Sequence, residues 1–532
     1  MKRIHLWLLS LLSGLLLAAS WPVHGFTPLI FVALVPLFFV QQYLGENHRK
    51  GMFWLAWFAF FVWNALTTWW IWNSTHSGAI VAILLNSLFM AMIFQVFHIS
   101  KKWLFNNRRG FGILIFYWIS WEFFHMHWQL SWPWLTLGNV FASKHTWIQW
   151  YEYTGVLGGS FWIILVNILV FNVIRNLILK EKSRMIINLS LLFLLLFIPI
   201  TFSLYLYAHY QETQHPVNVV VVQPNIDPYT EEYGLPPAEI LQKDLTLAAK
   251  KVNDSTDYAV FPESTIQENI WEGELRQSQS LRTIRKFIQP FPRLSVVIGA
   301  TTYRWLLPNE KRTPAARLYR KGLYYYAYNT AFFINHSPYV QIHHKSKLTP
   351  GVEEMPTYFF LKPLDKFAIN LGGTVGSLKS DNHISLFQNN RTGTKIATAI
   401  CYESVYGDYV ARYVRHGAQI IFIITNDGWW GNTPGYKQHF LFAVLRAIET
   451  RRDVAQSANT GTSGFVDQRG DVLQKTAYWI PTVISGRLNL NSRITYYVKH
   501  GDIIARLSEY VSVLILLASV VQHIIKRRNG IF

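Results

Sequence analysis

Cys401 is the single cysteine of this 532-residue chain, and it closes an apolar run in the segment Ile400-Cys401-Tyr402-Glu403. Two other reactive groups occupy the same kind of position, in Phe261-Pro262-Glu263-Ser264 and in His344-Lys345-Ser346-Lys347-Leu348. Loops that follow strands commonly present reactive groups on a rigid scaffold. A thiol, a carboxylate and an ammonium group suit acyl transfer through sulfur. The thiolate is the nucleophile, and a free thiol has a pKa of about 8.5, so a neighbouring base or cation must activate it. Glu263 could take the thiol proton and return it to the leaving group. Lys345 could stabilise the oxyanion of a tetrahedral intermediate, and Lys347 is its rival by closeness. A Cys–His pair is the competing arrangement. His343, His344 and His439 are available for it, so residue types alone leave the base undecided. The ordinary fate of a lone cysteine is a small buried hydrophobe. A single cysteine permits no intrachain disulfide and no cysteine-cluster metal site.

The elements that must position these groups lie after about residue 210, where the hydrophobic pattern changes. Val217–Val222 is a continuous branched run, as in a buried strand. Tyr258–Phe261, Leu294–Ala300, Ala331–Asn335, Lys395–Ile400 and Gln419–Thr425 read as further strands. Glu239–Val252 and Lys437–Arg451 carry helical spacing. Alternating strands and helices indicate a layered α/β domain of about 280 residues. No Gly-rich phosphate loop appears, and the pair His343 and His344 lacks helical ligand spacing. Neither a nucleotide nor a metal is expected.

The rest of the chain is of a different kind. Hydrophobic residues make up 51% of the sequence and charged residues only 15%, against roughly a quarter charged in a soluble domain. Apolar stretches near 4–20, 25–44, 52–72, 79–99, 111–127, 158–175, 185–208 and 508–525 approach the ~20 residues a spanning helix needs. The 22 tryptophans suit helix ends at membrane interfaces. The formal charge of +19 is spread in short runs between spans, so anionic headgroups are the expected partner and nucleic acid is not. Lys2 and Arg3, Arg49 and Lys50, Lys101 to Arg109, Arg175 to Arg184, and Lys526 to Arg528 fall in alternate loops. The other loops are nearly bare of Lys and Arg, Lys144 excepted. By the positive-inside rule both termini are cytoplasmic and the long segment between spans seven and eight lies outside. Residues 1–20 also resemble a signal peptide, but the long apolar stretch favours a retained span. Glu122 falls in span five, where a carboxylate is costly and is either functional or interfacial beside His125 and His127.

The catalytic trio, in the order Glu263, Lys345, Cys401, resembles that of the nitrilase superfamily of carbon–nitrogen hydrolases. The whole chain resembles the bacterial apolipoprotein N-acyltransferases within it. In the apolar part, Trp132-Pro133-Trp134-Leu135, Leu137-Gly138, Gln149, Gly155 and Asn167 carry the likeness. In the polar part it is carried by Val222-Gln223-Pro224-Asn225-Ile226, Tyr328-Asn329-Thr330, Asn426-Asp427-Gly428-Trp429-Trp430-Gly431, Gln438-His439, Arg446-Ala447, Glu449, Thr495-Tyr496 and Gly501-Asp502. The family's Pro-Phe-Gly-Glu segment reads Pro350-Gly351-Val352-Glu353-Glu354-Met355-Pro356 here, and spacing from Lys345 favours Glu353 over Glu354.

The resemblance implies a polytopic helical anchor at 1–208 with about seven spans, a nitrilase-like αββα sandwich at 215–495 and a last helix at 508–525. It implies an enzyme of the bacterial inner membrane with a periplasmic catalytic domain. A phospholipid donates an acyl chain to Cys401 as a thioester. The α-amino group of the diacylglyceryl-cysteine of an apolipoprotein then takes it. Glu353 would assist the base chemistry, Glu403 would support the nucleophile loop, Tyr402 would flank the site, and Trp429 and Trp430 would shape an acyl pocket or an interface. No cofactor is implied, and a monomer is expected. Residues 226–238 and 352–364 are candidate gating loops over an apolar groove. Two rival readings stay in view: a membrane-tethered amidase or nitrilase acting on small amides, and a non-enzymatic receptor or transporter.

Overall fold

The computed structural model describes residues 2–107, 109–232, 234–354 and 377–529. The chain divides into two compact units, one of residues 1–72, 79–209 and 500–532, the other of residues 73–78 and 210–499.

The first unit is helical. Among the described residues, six apolar helices are long enough to cross a membrane: Arg3–Ser20, Thr27–Glu46, His76–Phe105, Tyr151–Ile178, Lys182–His209 and Ile503–Arg528. Two of the eight expected spans fall on shorter helices, Met52–Thr68 with 17 residues and Ile113–His125 with 13. At about 1.5 Å per residue the latter reaches only some 20 Å, less than the ~30 Å hydrocarbon core. The chain after it, through Trp132-Pro133-Trp134, is irregular and 3₁₀-helical. Lys182–His209 has almost no buried residue and exposes Ile186, Ile187, Leu189, Phe193 and Phe197. An apolar face of that extent suits lipid and not water.

Two polar side chains inside the unit show how a dry interior holds such groups. Asn167 accepts from the Leu34 backbone N–H and donates to Ile30 O and Ile163 O, all at 2.8 Å. Glu122, itself buried, accepts from Trp118 Nε1 at 2.9 Å and from the Leu137 backbone N–H at 2.8 Å. It therefore pins the turn that follows Pro133.

The second unit is built on fourteen strands among its described residues: β1 (Pro216–Gln223), β2 (Tyr258–Val260), β3 (Ile266–Trp271), β4 (Ser295–Trp305), β5 (Arg317–Arg320), β6 (Leu323–Ile334), β7 (Gln341–His344), β8 (Phe387–Gln388), β9 (Lys395–Ile400), β10 (Ile420–Thr425), β11 (Val454–Ala458), β12 (Gly464–Val466), β13 (Val472–Lys475) and β14 (Thr482–Asn489). One sheet runs β14-β1-β2-β4-β6-β5, with β3 on β4 and β7 on β6. The other runs β13-β12-β11-β10-β9-β8. The strands that precede the Glu263 and Cys401 loops lie in parallel runs, β1 with β2, β2 with β4, β9 with β10, and β10 with β11, whereas β7, before Lys345, pairs antiparallel with β6.

Alternation along the strands explains the layering. Val219, Val221, Val260, Val297 and Phe333 of the first sheet pack with Ile396, Ile400, Ile420, Phe422 and Ile424 of the second. The intervening Val220, Val222, Phe261, Val296 and Ile298 face the other way, onto Leu241, Leu245, Leu281 and Ile284 of helices Pro237–Ala249 and Gln279–Ile288. Helices Gly407–Arg415 and Pro434–Thr450 pack on the second sheet, against β9 and β11. The unit is thus an αββα sandwich. Strands buried on both faces read as unbroken apolar runs, which is why β1, β9 and β10 stand out in the sequence.

Candidate active site

Glu263 follows β2, Lys345 follows β7 and Cys401 follows β9, so each reactive group begins where a strand ends. In open parallel sheets the carboxyl ends of strands are where ligands bind. Tight backbone geometry fixes two of the three corners. Cys401 adopts φ +50 and Ser264 φ +59, left-handed values that side chains other than glycine's rarely take. Such strain persists only where the surroundings over-determine it. Gly299 of β4 passes directly under the Glu263 corner, and a Cβ there would lie 2.6 Å from Glu263 Cα.

The side chains converge on Lys345, which is only 2% exposed. Its Nζ donates to Glu263 Oε1 at 3.0 Å and to Glu353 Oε1 at 2.9 Å. Asn329 Nδ2 donates to the same two oxygens, at 2.7 Å and 3.0 Å. The outer oxygens are tied to backbone, Glu263 Oε2 to the Asn426 N–H at 3.0 Å and Glu353 Oε2 to the Thr349 N–H at 2.8 Å. Burial would strip the proton from Lys345, but Glu263 first, then Glu353 and Cys401, hold its pKa well above the ordinary lysine value. Burial would raise Glu353, yet the Lys345 charge and the hydrogen bonds from Lys345, Thr349 and Asn329 keep it below the usual carboxylate range. An ammonium has three donors, and two are spent here. The third has no partner among the described residues.

Cys401 is partly exposed. Burial of its sulfur, then the Glu263 charge, pushes the thiol pKa well above its ordinary value, with Lys345 opposing. At rest it is a thiol, and it needs a base to become a nucleophile. Its loop is held by Glu403, which is fully buried. Glu403 Oε2 accepts from the Ile400 N–H at 2.7 Å and pairs with His343 Nε2 at 3.1 Å. Glu403 Oε1 accepts from the Ser346 N–H at 2.6 Å and from Tyr409 Oη at 2.7 Å. One carboxylate therefore ties the cysteine loop to the lysine loop.

The three histidines are all engaged. His343 bonds Glu403, and His344 pairs with Glu272 at 2.7 Å and Asp381 at 3.4 Å. His439 Nδ1 pairs with Asp427 Oδ1 at 2.9 Å, while its Nε2 lies 3.1 Å from Cys401 O and 3.0 Å from Ser404 Oγ. Donor atoms of Cys401, Asp427 and His439 lie within 4.8 Å of one another, the one grouping of metal-ligand type among the described residues. Its nitrogen and oxygen are already bonded to each other.

The remaining sequence candidates sit around this centre. Tyr402 is buried, its ring 5.2 Å from that of Tyr406. Lys347 does not join Lys345; its ammonium lies over the Tyr406 ring at 4.8 Å. Glu354 is not bonded to Lys345, and its backbone bridges to Pro350. Trp429 stacks edge-on to Tyr229 at 5.1 Å and accepts from its hydroxyl through the carbonyl at 2.8 Å. Trp430 lies 5.7 Å from the His439 ring, and its carbonyl accepts from Asn73 Nδ2 at 2.8 Å. Of the expected gating loops, Tyr233 and residues 355–364 lie outside the described residues, as do Met355 and Pro356 of the Glu353 motif and Arg108 of the basic loops. Two contributors escaped assignment from sequence. Asn329 was visible only as part of a motif, and Asn426 likewise, although the first bridges both carboxylates and the second tethers Glu263.

Comparison with known proteins bears on both units. Residues 13–169 match the apolipoprotein N-acyltransferase N-terminal domain, and residues 218–497 match the carbon-nitrogen hydrolase family. An apolipoprotein N-acyltransferase of Chlorobaculum tepidum is 31% identical, covering 96% of this chain and 96% of that one. Enzymes of the same name from Geobacter metallireducens and Thermotoga maritima are each 25% identical, over 94% and 96% of this chain and 92% of each relative. Among solved structures, Saccharomyces cerevisiae Nit3, a member of the nitrilase superfamily, aligns with 52% of this chain and 93% of its own at 17% identity and TM-score 0.38.

Proposed function

We propose a reaction that proceeds from one premise: this chain belongs to the apolipoprotein N-acyltransferase family, within the carbon-nitrogen hydrolases. It moves an acyl chain from a phospholipid to the α-amino group of the N-terminal diacylglyceryl-cysteine of an apolipoprotein. In the first half, Glu263 takes the Cys401 proton and sulfur attacks the ester carbonyl. The free N–H of Lys345 meets the oxyanion, and the proton passes from Glu263 to the departing lysophospholipid. In the second half the acceptor amine attacks the thioester, and Cys401 is restored. Glu353 and Asn329 hold Lys345 and Glu263 in register. Glu403 and Tyr402 brace the cysteine corner, and Trp429 and Trp430 line the approach for the acyl chain. One chain supplies every group, so a monomer suffices.

The observation that carries the reading is the extent of the match. The relative's likeness runs through the helical unit as well as the sandwich, over 96% of both chains. An amidase of small substrates gains nothing from six membrane-length helices. Both proposed substrates are lipid-anchored, and drawing an acyl chain into water costs about 0.8 kcal/mol per CH₂. A site beside the bilayer avoids that cost. The alternation of Lys and Arg supports an inner-membrane enzyme with the sandwich outside and both termini cytoplasmic.

The test is mass spectrometry of a diacylglyceryl-cysteinyl model peptide incubated with phospholipid, with and without the purified protein. A gain of one acyl chain on the peptide's α-nitrogen is expected. An unaltered peptide, together with ammonia release from small amides, would establish the amidase instead.

A further inference from the structure

Strands β4, β5 and β6 project past the reactive centre. β4 runs parallel to β2, the strand that leads into Glu263, and its Gly299 lies against the Glu263 backbone. Lys345 leaves β7 at the level of Thr330, the partner of Ala300. Beyond that level β4 and β6 stay paired as far as Trp305 opposite Tyr325, which adds about 17 Å of strand. β5 completes the projection as the last strand of the sheet. It points the same way as β2 where that strand delivers Glu263.

Register sets an aromatic row on the face that carries Asn329. Directly opposite residues share a face, so Thr301 with Asn329, Tyr303 with Ala327 and Trp305 with Tyr325 form successive rungs. Trp271 of β3 joins beside Tyr303. The row ends in open rings. Trp271 and Trp305 stack at 4.0 Å, and Tyr319 of β5 stands edge-on to Trp305 at 5.1 Å. Trp305 is 36% exposed and Tyr319 61%. Charge is equally one-sided. Between Tyr303 and Tyr328 lie six cations, Arg304, Lys311, Arg312, Arg317, Arg320 and Lys321, and a single carboxylate, Glu310. Glu310 pairs with Arg304 at 3.0 Å. Lys311, Arg312, Arg320 and Lys321 are exposed. Charge on an edge strand discourages pairing with another sheet. That accounts for Arg320, but not for Lys311 and Arg312 in the preceding loop, nor for the exposed indole and phenol rings.

Trp and Tyr are the rings that settle at the headgroup level of a bilayer, and Lys and Arg are drawn to anionic lipid. The positive-inside pattern uses the short loops between spans and leaves this projection unexplained. The sandwich is also tethered on both sides, entered from the membrane-length helix Lys182–His209 and left through Ile503–Arg528. A bilayer is therefore present at high effective concentration. We propose that the projection of β4, β5 and β6 docks on an anionic bilayer surface, with Trp305 and Tyr319 among the headgroups and the exposed cations on their phosphates. Each such cation favours the docked state roughly fivefold. Docking turns the edge that carries Glu263 and Lys345 toward the lipid. The contact is independent of the reaction performed there, so it stands or falls apart from the acyl-transfer reading.

The test uses the full-length chain with Leu318→Cys, an exposed position of β5, in a Cys401→Ser background, labelled at residue 318 with a fluorophore. The protein is placed in lipid nanodiscs of phosphatidylcholine, alone or mixed with phosphatidylglycerol, each with a trace of lipid bearing a nitroxide on its headgroup. Quenching of the label reads contact with the bilayer surface. Strong quenching is expected with phosphatidylglycerol and weak quenching without it. Raising the salt from about 0.1 M to about 1 M shortens the Debye length from about 10 Å to about 3 Å and should release the label, which decides the matter without any charge variant. Lys311→Glu, Arg320→Glu and Lys321→Glu combined should lower the ratio of docked to free by about 100-fold or more, at the parental melting temperature, since all three side chains are exposed. Quenching that is equal in the two lipids, absent from both, or indifferent to salt overturns the inference. Quenching that changes only when a diacylglyceryl-cysteinyl peptide is added also overturns it, and makes the projection a docking surface for polypeptide.

Discussion

Glu403 accepts or shares four hydrogen bonds on its two oxygens, whereas Lys345 commits two of its three N–H groups. Both are buried ionic centres of the same unit, and each joins loops that are far apart in sequence. The Glu403 cluster is complete: its donors are backbone N–H groups, a histidine and a tyrosine, and nothing faces outward. The Lys345 cluster is one bond short and lies against a partly exposed thiol. A finished network holds geometry, and an unfinished one is where a reacting oxygen can supply the missing acceptor.

Breaking the unfinished cluster should have the larger effect. Lys345→Met is expected to slow thioester formation by about 10²–10³-fold, as loss of an oxyanion donor does. It also leaves Glu263 and Glu353 facing each other, at a cost of about 3–5 kcal/mol in stability. Quench-flow mass spectrometry reads the first and denaturant titration the second. A variant that lost stability but kept its rate would show that Lys345 is scaffold, like Glu403.

Breaking the finished cluster should act through the fold. Glu403→Gln presents an N–H to a donor and loses charge-assisted bonds, a cost of about 2–3 kcal/mol. Activity should fall in step with the folded fraction, with no change in the shape of the pH profile. A hundredfold loss of rate at parental stability would move Glu403 into the chemistry.

The pH dependence of stability separates the clusters less sharply. Glu353 and Glu403 both titrate below their ordinary 4.5 when folded. The folded chain therefore binds these protons more weakly than the unfolded chain. Their contribution is complete above the unfolded value and is lost as pH falls through the lower folded values. Denaturant midpoints should hold from neutral pH to about pH 5 and then decline. Glu403→Gln should remove part of that decline. An unchanged slope in the variant would deny the depression of Glu403.

The smallest effect is expected at Lys347, two residues from Lys345 and packed on the Tyr406 ring. Lys347→Ala removes a cation–π contact of about 0.5–1 kcal/mol and should change the rate of thioester formation less than about threefold. A loss comparable to that of Lys345→Met would reverse the assignment of the two lysines.

How much of this was legible in the sequence depends on what each residue needed. Glu263 and Cys401 follow apolar runs long enough to read as strands, and those runs are β2 and β9, buried on both faces. Lys345 follows β7, a four-residue strand that ends in two histidines, and is readable mainly from its chemistry. Asn329 was not assignable, because its role depends on pairing of β6 with β7, where Thr330 faces His344. That register brings Asn329 O within 2.8 Å of the Lys345 N–H, and no local pattern encodes it. The short strands β11 to β13 and the longer β14 carry weak alternation and are not legible in the sequence, although β14 pairs along all eight residues of β1. The apolar stretch 111–127 reads as a full span, yet its helix ends at His125, where the chain turns irregular toward Pro133.

The most direct measurement is the intact mass of the protein after exposure to a phospholipid of defined acyl composition. One added acyl group is expected, labile to hydroxylamine, discharged by a diacylglyceryl-cysteinyl peptide and absent from Cys401→Ala. An adduct that persists in Cys401→Ala, or a parental protein that never gains the acyl mass while it hydrolyses small amides, would contradict a thioester at Cys401.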